Sequence, residues 1–281
     1  MKWEYSLKTK LLKLFLFIFS RPFFFNFFYG LNKLCLNAMN RTAASQLPPN
    51  LSGEKIAFEF ALNKRNTDES LVIFDVGGNY GDYSQMVKEV CSYAAVSFDL
   101  YIFEPSSACF SYLSERNKHL ENLKLHKLAI SEENSYTKLY LPWEGCPGAS
   151  LAELGYLKTM IPNLNDSLSY ETVNTIKLDD FCNENGVNQI FFLKLDIEGF
   201  ELSALKGAYE MIMSRKIKFI QIEIGSASIT TKSILFDFWK MLSELYDFYL
   251  ILNQGLFEIK KYKLDLECLY GASNFLLELK Q

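Results

Sequence analysis

The sequence predicts an α/β fold, a mostly parallel sheet with helices on both faces, preceded by a phenylalanine-rich helical arm. Three observations carry this. Short apolar runs alternate with amphipathic stretches from residue 71 to residue 280. One run, "IFFLKLD" (190–196), is nearly all apolar, as a strand covered on both faces must be. Another, "LVIFD" (71–75), leads directly into "GGNYG", three glycines within five positions.

The arm comes first. "LLKLFLFIFSRPFFFNFFYG" (11–30) has no small-residue cleavage site after its apolar run, and Lys13, Arg21 and Pro22 interrupt it as a spanning helix. Two short amphipathic helices meeting at Arg21-Pro22 fit better, either packed on the domain or lying in a membrane interface. "QLPPN" (46–50) reads as a linker, because a proline pair cannot continue a helix. The expected division is an arm over 1–46 and a domain over 53–281.

Strand 71–75 is followed by a helix over 83–93 and a strand over 99–105, ended by proline. A helix over 106–118 takes Ser106 or Ser107 as its cap. Strands follow at 123–130 and 137–142, then an irregular stretch, 143–172, holding Gly145, Pro147, Gly148, Gly155 and Pro162. Beyond it come a strand (173–178), a short helix capped by Asp179 or Asp180 and stopped by Gly186, and the buried strand 190–196. Leu202, Leu205, Tyr209 and Ile212 recur at helical spacing over 201–214. Strand 217–225, helix 232–245 and strands 247–253 and 273–280 complete the series.

Composition narrows the function. With 49% hydrophobic and 22% charged residues the chain is globular, and a net charge of −4 without basic blocks argues against nucleic-acid binding. The six cysteines (Cys35, Cys91, Cys109, Cys146, Cys182, Cys268) form no clustered zinc set and read as buried hydrophobes in a reducing compartment. The cytoplasm is the expected location, peripheral on the inner face of a membrane if the arm meets lipid. The two histidines, His119 and His126, flank a strand far from any nucleophile motif, so a general base is expected to be a carboxylate.

In doubly wound sheets ligands sit beyond the carboxyl ends of the strands. Those ends carry Asp75 to Gly81, Glu104, Ala129 to Ser131, Asp196 to Gly199 and Glu223 to Gly225. The glycine turn lacks the lysine of a phosphate loop, and its spacing does not match the dinucleotide G-x-G-x-x-G. The remaining reading is S-adenosylmethionine, with Gly77, Gly78 and Gly81 permitting close backbone approach and Glu104 accepting from ribose hydroxyls. On the bland reading, the glycines form a tight turn and Glu104 caps the helix at 106.

The segments "FDVGGNYGDYS", "FEPSSACFSYL", "LAIS", "GASL", "IKLDDF", "FLKLDIEGFELSALKGA" and "IQIEIG" stand in the order found in FkbM-type methyltransferases. From about residue 53 onward the chain resembles that family, and D-x-E-G-x-E at 196–201 is the specific part. The resemblance implies a class I, Rossmann-like methyltransferase fold. It also implies methyl transfer to a hydroxyl oxygen, of a sugar in a glycan, glycolipid or secondary metabolite, with acceptor specificity expected in the irregular stretch 143–172, which carries no recognisable acceptor signature. It carries over Asp75, Gly77, Gly78, Asn79, Gly81 and Glu104 as cofactor contacts, with Ala129 at a neighbouring strand end. Asp196 is the first candidate base, with Glu198 and Glu223 beside it. Were Asp196 and Glu223 to converge they would offer Mg²⁺ hard oxygen ligands, but no third ligand is evident and no metal is assigned. The competing readings are a nucleotide-binding module without catalysis and an NAD-dependent sugar-modifying enzyme.

Overall fold

The computed structural model describes residues 7–41, 47–66, 70–118, 122–141, 149–153, 169–267 and 272–281. The irregular stretch assigned to acceptor specificity lies mostly outside these residues, as do His119, Cys146 and Cys268. The strands begin with β1 (Leu71–Val76), β2 (Phe98–Phe103), β3 (Leu123–His126), β4 (Ala129–Ile130), β5 (Ser135–Leu141) and β6 (Ser169–Ile176). They continue with β7 (Ile190–Leu195), β8 (Ile217–Gly225), β9 (Tyr246–Leu252), β10 (Gly255–Ile259) and β11 (Ala272–Leu279).

Eight of them form one sheet in the order β10-β9-β11-β8-β7-β1-β2-β3. β3, β2, β1, β7 and β8 are parallel neighbours, while β11 runs antiparallel between β8 and β9. β1 has β2 on one side and β7 on the other, so the order of winding reverses at β1. A crevice opens at such a reversal.

Alternation along β1 feeds two cores. Phe74 and Val76 face one cluster, with Leu193, Ile220 and the helices Leu178–Asn185, Glu201–Lys206 and Leu235–Leu242. Leu71 and Ile73 face the other, with Phe192, Phe219 and the helices Glu54–Asn63 and Asp82–Tyr93. Burying each such side chain contributes about 1.5–3 kcal/mol, so the double-sided packing is the main source of stability.

Several expectations are corrected. The run 123–130 is two strands, because β2 ends at Phe103 opposite His126 and leaves no partner beyond. Ala129–Ile130 instead pairs with β6 in a separate sheet, β4-β6-β5. The helix expected over 201–214 divides into Glu201–Lys206 and Tyr209–Met213. Gly207 stands at the break, where a Cβ would lie 2.0 Å from the Ser131 carbonyl oxygen. The helix expected over 232–245 is shorter, Leu235–Leu242, behind a separate Ala227–Thr231. The proline pair opens a short helix, Pro49–Ser52. Cys91, Cys109 and Cys182 are buried, but Cys35 is exposed on the arm.

Asp179 does not cap its own helix. Its carboxylate accepts from the backbone N–H of Glu210 (2.8 Å) and Met211 (3.0 Å), at the start of the next helix but one. Asp179→Ala strands both N–H groups, one of them buried, and is expected to cost about 1–3 kcal/mol in urea unfolding. An unchanged midpoint would show that the cap contributes nothing.

Candidate active site

β1 ends in a turn that glycine alone can make. Gly77 and Gly81 have φ of +87° and +84°, and Asn79 between them has +47°. The N–H groups of Gly77 and Gly78 both donate to the Phe103 carbonyl, at 3.0 and 3.1 Å, tying the turn to the end of β2. A Cβ on Gly77 would sit 1.9 Å from the Asp196 carbonyl oxygen, and one on Gly78 2.3 Å from Ile102 Cγ2. The glycines therefore let the turn nest against β2 and against the chain leaving β7.

Glu104, just past β2, is pinned by that turn. Its Oε2 accepts from Asn79 N (2.7 Å) and its Oε1 from Ser106 N (2.8 Å). The capping role and a ligand role coexist, because each carboxylate oxygen keeps a further lone pair. Burial pushes Glu104 up to about 7 despite those two N–H groups.

Beneath the turn a polar row crosses the sheet. The register places Asp75 opposite Lys194, and Lys194 opposite Gln221. Lys194 Nζ lies 3.6 Å from Asp75 Oδ1 and 3.0 Å from Asp196 Oδ2, over the Tyr83 ring. Gln221 Nε2 donates to Glu54 Oε1 at 2.8 Å, and Ser84 Oγ to Asp75 Oδ2 at 2.6 Å. Burial alone would lower the Lys194 pKa, but Asp196, Asp75 and Glu54 outweigh it and raise it.

The chain leaving β7 makes a second tight turn, with Glu198 at φ +52° and Gly199 at +98°. Glu201 Oε1 closes it, accepting from Ile197 N (2.9 Å) and Gly199 N (3.2 Å). Ser150 Oγ donates to the Glu198 carbonyl at 2.8 Å, joining the turn to the segment after β5. Burial raises Glu198 to about 8, with Asp196 and Glu201 adding to it, and raises Glu201 to about 7. Glu223 is raised well above the ordinary range, first by burial and then by Asp196 and Glu198.

These parts enclose a cavity of about 330 Å³ at the carboxyl edge of β1, β2, β7 and β8. Gly77, Gly78, Asn79, Gly81, Glu104, Ala129, Asp196, Glu198 and Glu223 all line it. Asp75 does not. It is fully buried below the turn, so its part is to hold Lys194 and Ser84 rather than to touch a ligand. Sequence reasoning missed Glu54 and Lys194, and left Glu201 without a role. A carboxylate five residues beyond Asp196, at a helix start, was the available signal for Glu201. Glu54 had none. His126 lies between aromatic rings at the end of β3 and does not line the cavity. Among the described residues no group of three or more His, Cys, Asp or Glu is placed to hold a metal ion.

Residues 75–250 match the methyltransferase FkbM domain. The chain belongs to the FkbM methyltransferase family. It is 27% identical over 164 residues to the 2-O-methyltransferase NoeI of Sinorhizobium fredii, covering 56% of this chain and 65% of that one. Among solved structures, an FkbM methyltransferase from Methylobacillus flagellatus aligns at TM-score 0.47 and 17% identity, over 76% of this chain and 45% of that one. A putative methyltransferase from Streptococcus mutans, bound to SAH, aligns at TM-score 0.39 and 10% identity, over 83% and 98%.

The FkbM cavity suits S-adenosylmethionine by charge. Among the described residues Glu54, Asp82, Glu104, Asp196, Glu198 and Glu223 line it against one cation, Lys194, which is already ion-paired to two carboxylates, and the carboxyls that burial keeps protonated still present oxygens rather than positive charge. A sulfonium ion is welcome there. Glu104 has lone pairs left for ribose hydroxyls, and Ala129 and Leu128 give an apolar wall suited to a purine ring.

The raised carboxyls set a pH signature. Their ordinary value is 4.5, whereas folding raises Glu104 and Glu201 to about 7 and Glu198 to about 8. Between these limits the unfolded chain holds fewer protons than the folded one, so stability falls as pH rises. The melting temperature of the cofactor-free protein is expected to drop from pH 5 to pH 8, with Glu198→Gln flattening the upper part. A rise over that window would contradict the burial of these groups.

Proposed function

We propose that this protein transfers the methyl group of S-adenosylmethionine to a hydroxyl oxygen, that of a sugar in a small molecule or glycan. One observation carries the reading. A cavity lined by carboxylates opens on the glycine turn, with Asp196 held at its floor by a buried lysine. The similarity to NoeI, a 2-O-methyltransferase, supports oxygen as the methyl acceptor. The chain aligns with only 65% of that relative, so the acceptor is argued from the cavity's own chemistry.

The same charges weigh against the other readings. A dinucleotide would bring a pyrophosphate dianion to a lining that, among the described residues, offers one cation, already ion-paired to Asp75 and Asp196. A nucleic acid would meet the same repulsion, on a chain of net charge −4. A neutral polyol meets none.

The cofactor supplies a methyl carbon activated by its sulfonium. Lys194 Nζ occupies Asp196 Oδ2 and so fixes the carboxylate plane, leaving Oδ1 to accept the hydroxyl proton as the oxygen attacks. Glu198, raised to about 8, carries a proton at neutral pH and donates a hydrogen bond to another oxygen of the acceptor, with Glu223, raised by burial in the same direction, beside it. Apolar side chains from the small sheet, Leu139 among them, and Leu151 beyond it shield the pair from water.

Asp196→Asn is expected to lower kcat by about 10²–10⁴-fold while calorimetry still detects S-adenosylhomocysteine binding. Glu198→Gln, which mimics the protonated state, should lose no more than about tenfold. Near-wild-type turnover by Asp196→Asn would remove the base assignment. Binding of NAD but not S-adenosylhomocysteine would remove the methyltransferase reading.

A further inference from the structure

The arm is unlike the rest of the chain. Helices Leu7–Phe19 and Pro22–Ala38 meet at an angle of 111°, with Pro22 opening the second. Phe19 packs on Phe24 at 5.2 Å and Phe15 on Phe28 at 6.0 Å, so the bend has its own aromatic seam. The described residues of the domain do not bury these helices. The second contains no buried residue, and Phe17, Phe23 and Phe25 are 74%, 87% and 66% exposed. Packing on the domain, one of the two roles the sequence allowed, is therefore not what the structure shows.

Charge identifies the missing partner. Residues 7–38 contain five basic side chains (Lys8, Lys10, Lys13, Arg21 and Lys33) and no acidic one, in a chain whose net charge is −4. A protein surface that buried such a face would need matching acidic and apolar patches, whereas an anionic bilayer interface presents both chemistries at once. No single described helix is long and apolar enough to cross a membrane, and the bend prevents the pair from crossing as one rod. We propose that the two arm helices lie in the interface of an anionic lipid bilayer, phenylalanines among the acyl chains and lysines at the phosphates.

The base of the arm is hydrogen-bonded to the domain. Asn40 and Arg41, directly after it, are buried. Asn40 Nδ2 donates to the carbonyls of Ser52 (2.7 Å) and Ile251 (3.1 Å), and Arg41 donates to those of Asp265 (3.0 Å) and Leu266. The next described residues, Leu47 and Pro49, line the cavity. An arm seated on lipid thereby fixes the orientation of the site relative to the bilayer.

The test is flotation of the full chain with vesicles of phosphatidylcholine, with and without about a third phosphatidylglycerol. The chain is expected to float with the anionic vesicles, much less with the neutral ones, and less as salt rises. Lys10→Gln and Lys13→Gln should each lower the partition constant about fivefold. The combined Phe17→Ser, Phe23→Ser and Phe25→Ser variant should stay in solution, while its S-adenosylhomocysteine binding shows that the domain is folded. Absence from anionic vesicles, or flotation indifferent to lipid charge, would overturn the proposal. So would an arm-dependent dimer by light scattering that does not bind vesicles. Because the readout is flotation, it stands or falls independently of methyl transfer.

Discussion

A buried ammonium governs this site. Lys194 projects from a fully buried strand into a group of carboxylates and is ion-paired to Asp75 and Asp196. An unpaired cation there would be expelled, and without the cation the carboxylates would repel one another. Removing one partner of such a pair typically costs about 3–5 kcal/mol, because the other is left charged and dry. The lysine reaches both acids because parallel pairing puts Asp75 directly across from it, while Asp196 is two residues along the same strand direction and so on the same face. Sheet register, not loop conformation, therefore decides where the Asp196 carboxylate, the proposed base, points.

The two functional turns are interlocked around that row. Asp196 N donates to the Val76 carbonyl at 3.1 Å, and the Asp196 carbonyl occupies the space a side chain on Gly77 would need. The cofactor-side turn and the base-side turn thus share one backbone contact. Glu201 stiffens the second turn from behind, with one oxygen shared between two N–H groups. A site assembled this way arrives largely organised before any ligand enters, which is what orienting a weak hydroxyl nucleophile requires.

Much of this was legible in the chain. The strand ends that carry Gly77, Glu104, Asp196 and Glu223 could be read because buried strands are apolar and a carboxylate ending one is conspicuous. Other parts were not legible, for reasons that are physical. The family resemblance carried Asp75 over as a cofactor contact, yet strand alternation buries it on one face of the sheet below the turn, where only the register shows its partner. Glu54 comes from a helix that had drawn no attention, and it reaches the site through Gln221, across a separation in sequence that no local pattern spans. The split of 123–130 depended on where β2 stops, and the β9–β10 hairpin on a turn at Asn253–Gly255 without a strong signature. Register, strand length and long-range hydrogen bonds are tertiary quantities, and periodicity does not encode them.

The small sheet has a consequence of its own. It leaves the main sheet right after β3 and brings Leu139 to the far side of the cavity, facing the carboxylates, with Ala149 and Leu151 following β5. Its outer residues, Tyr136 and Tyr170, are largely exposed, so change there disturbs little else. The carboxyl-bearing side of the cavity and its apolar side are thus built largely on different sheets, tied where Ser150 donates to the Glu198 carbonyl. Change at the outer positions of the small sheet can therefore reshape one wall while the polar row beneath the glycine turn stays as it is.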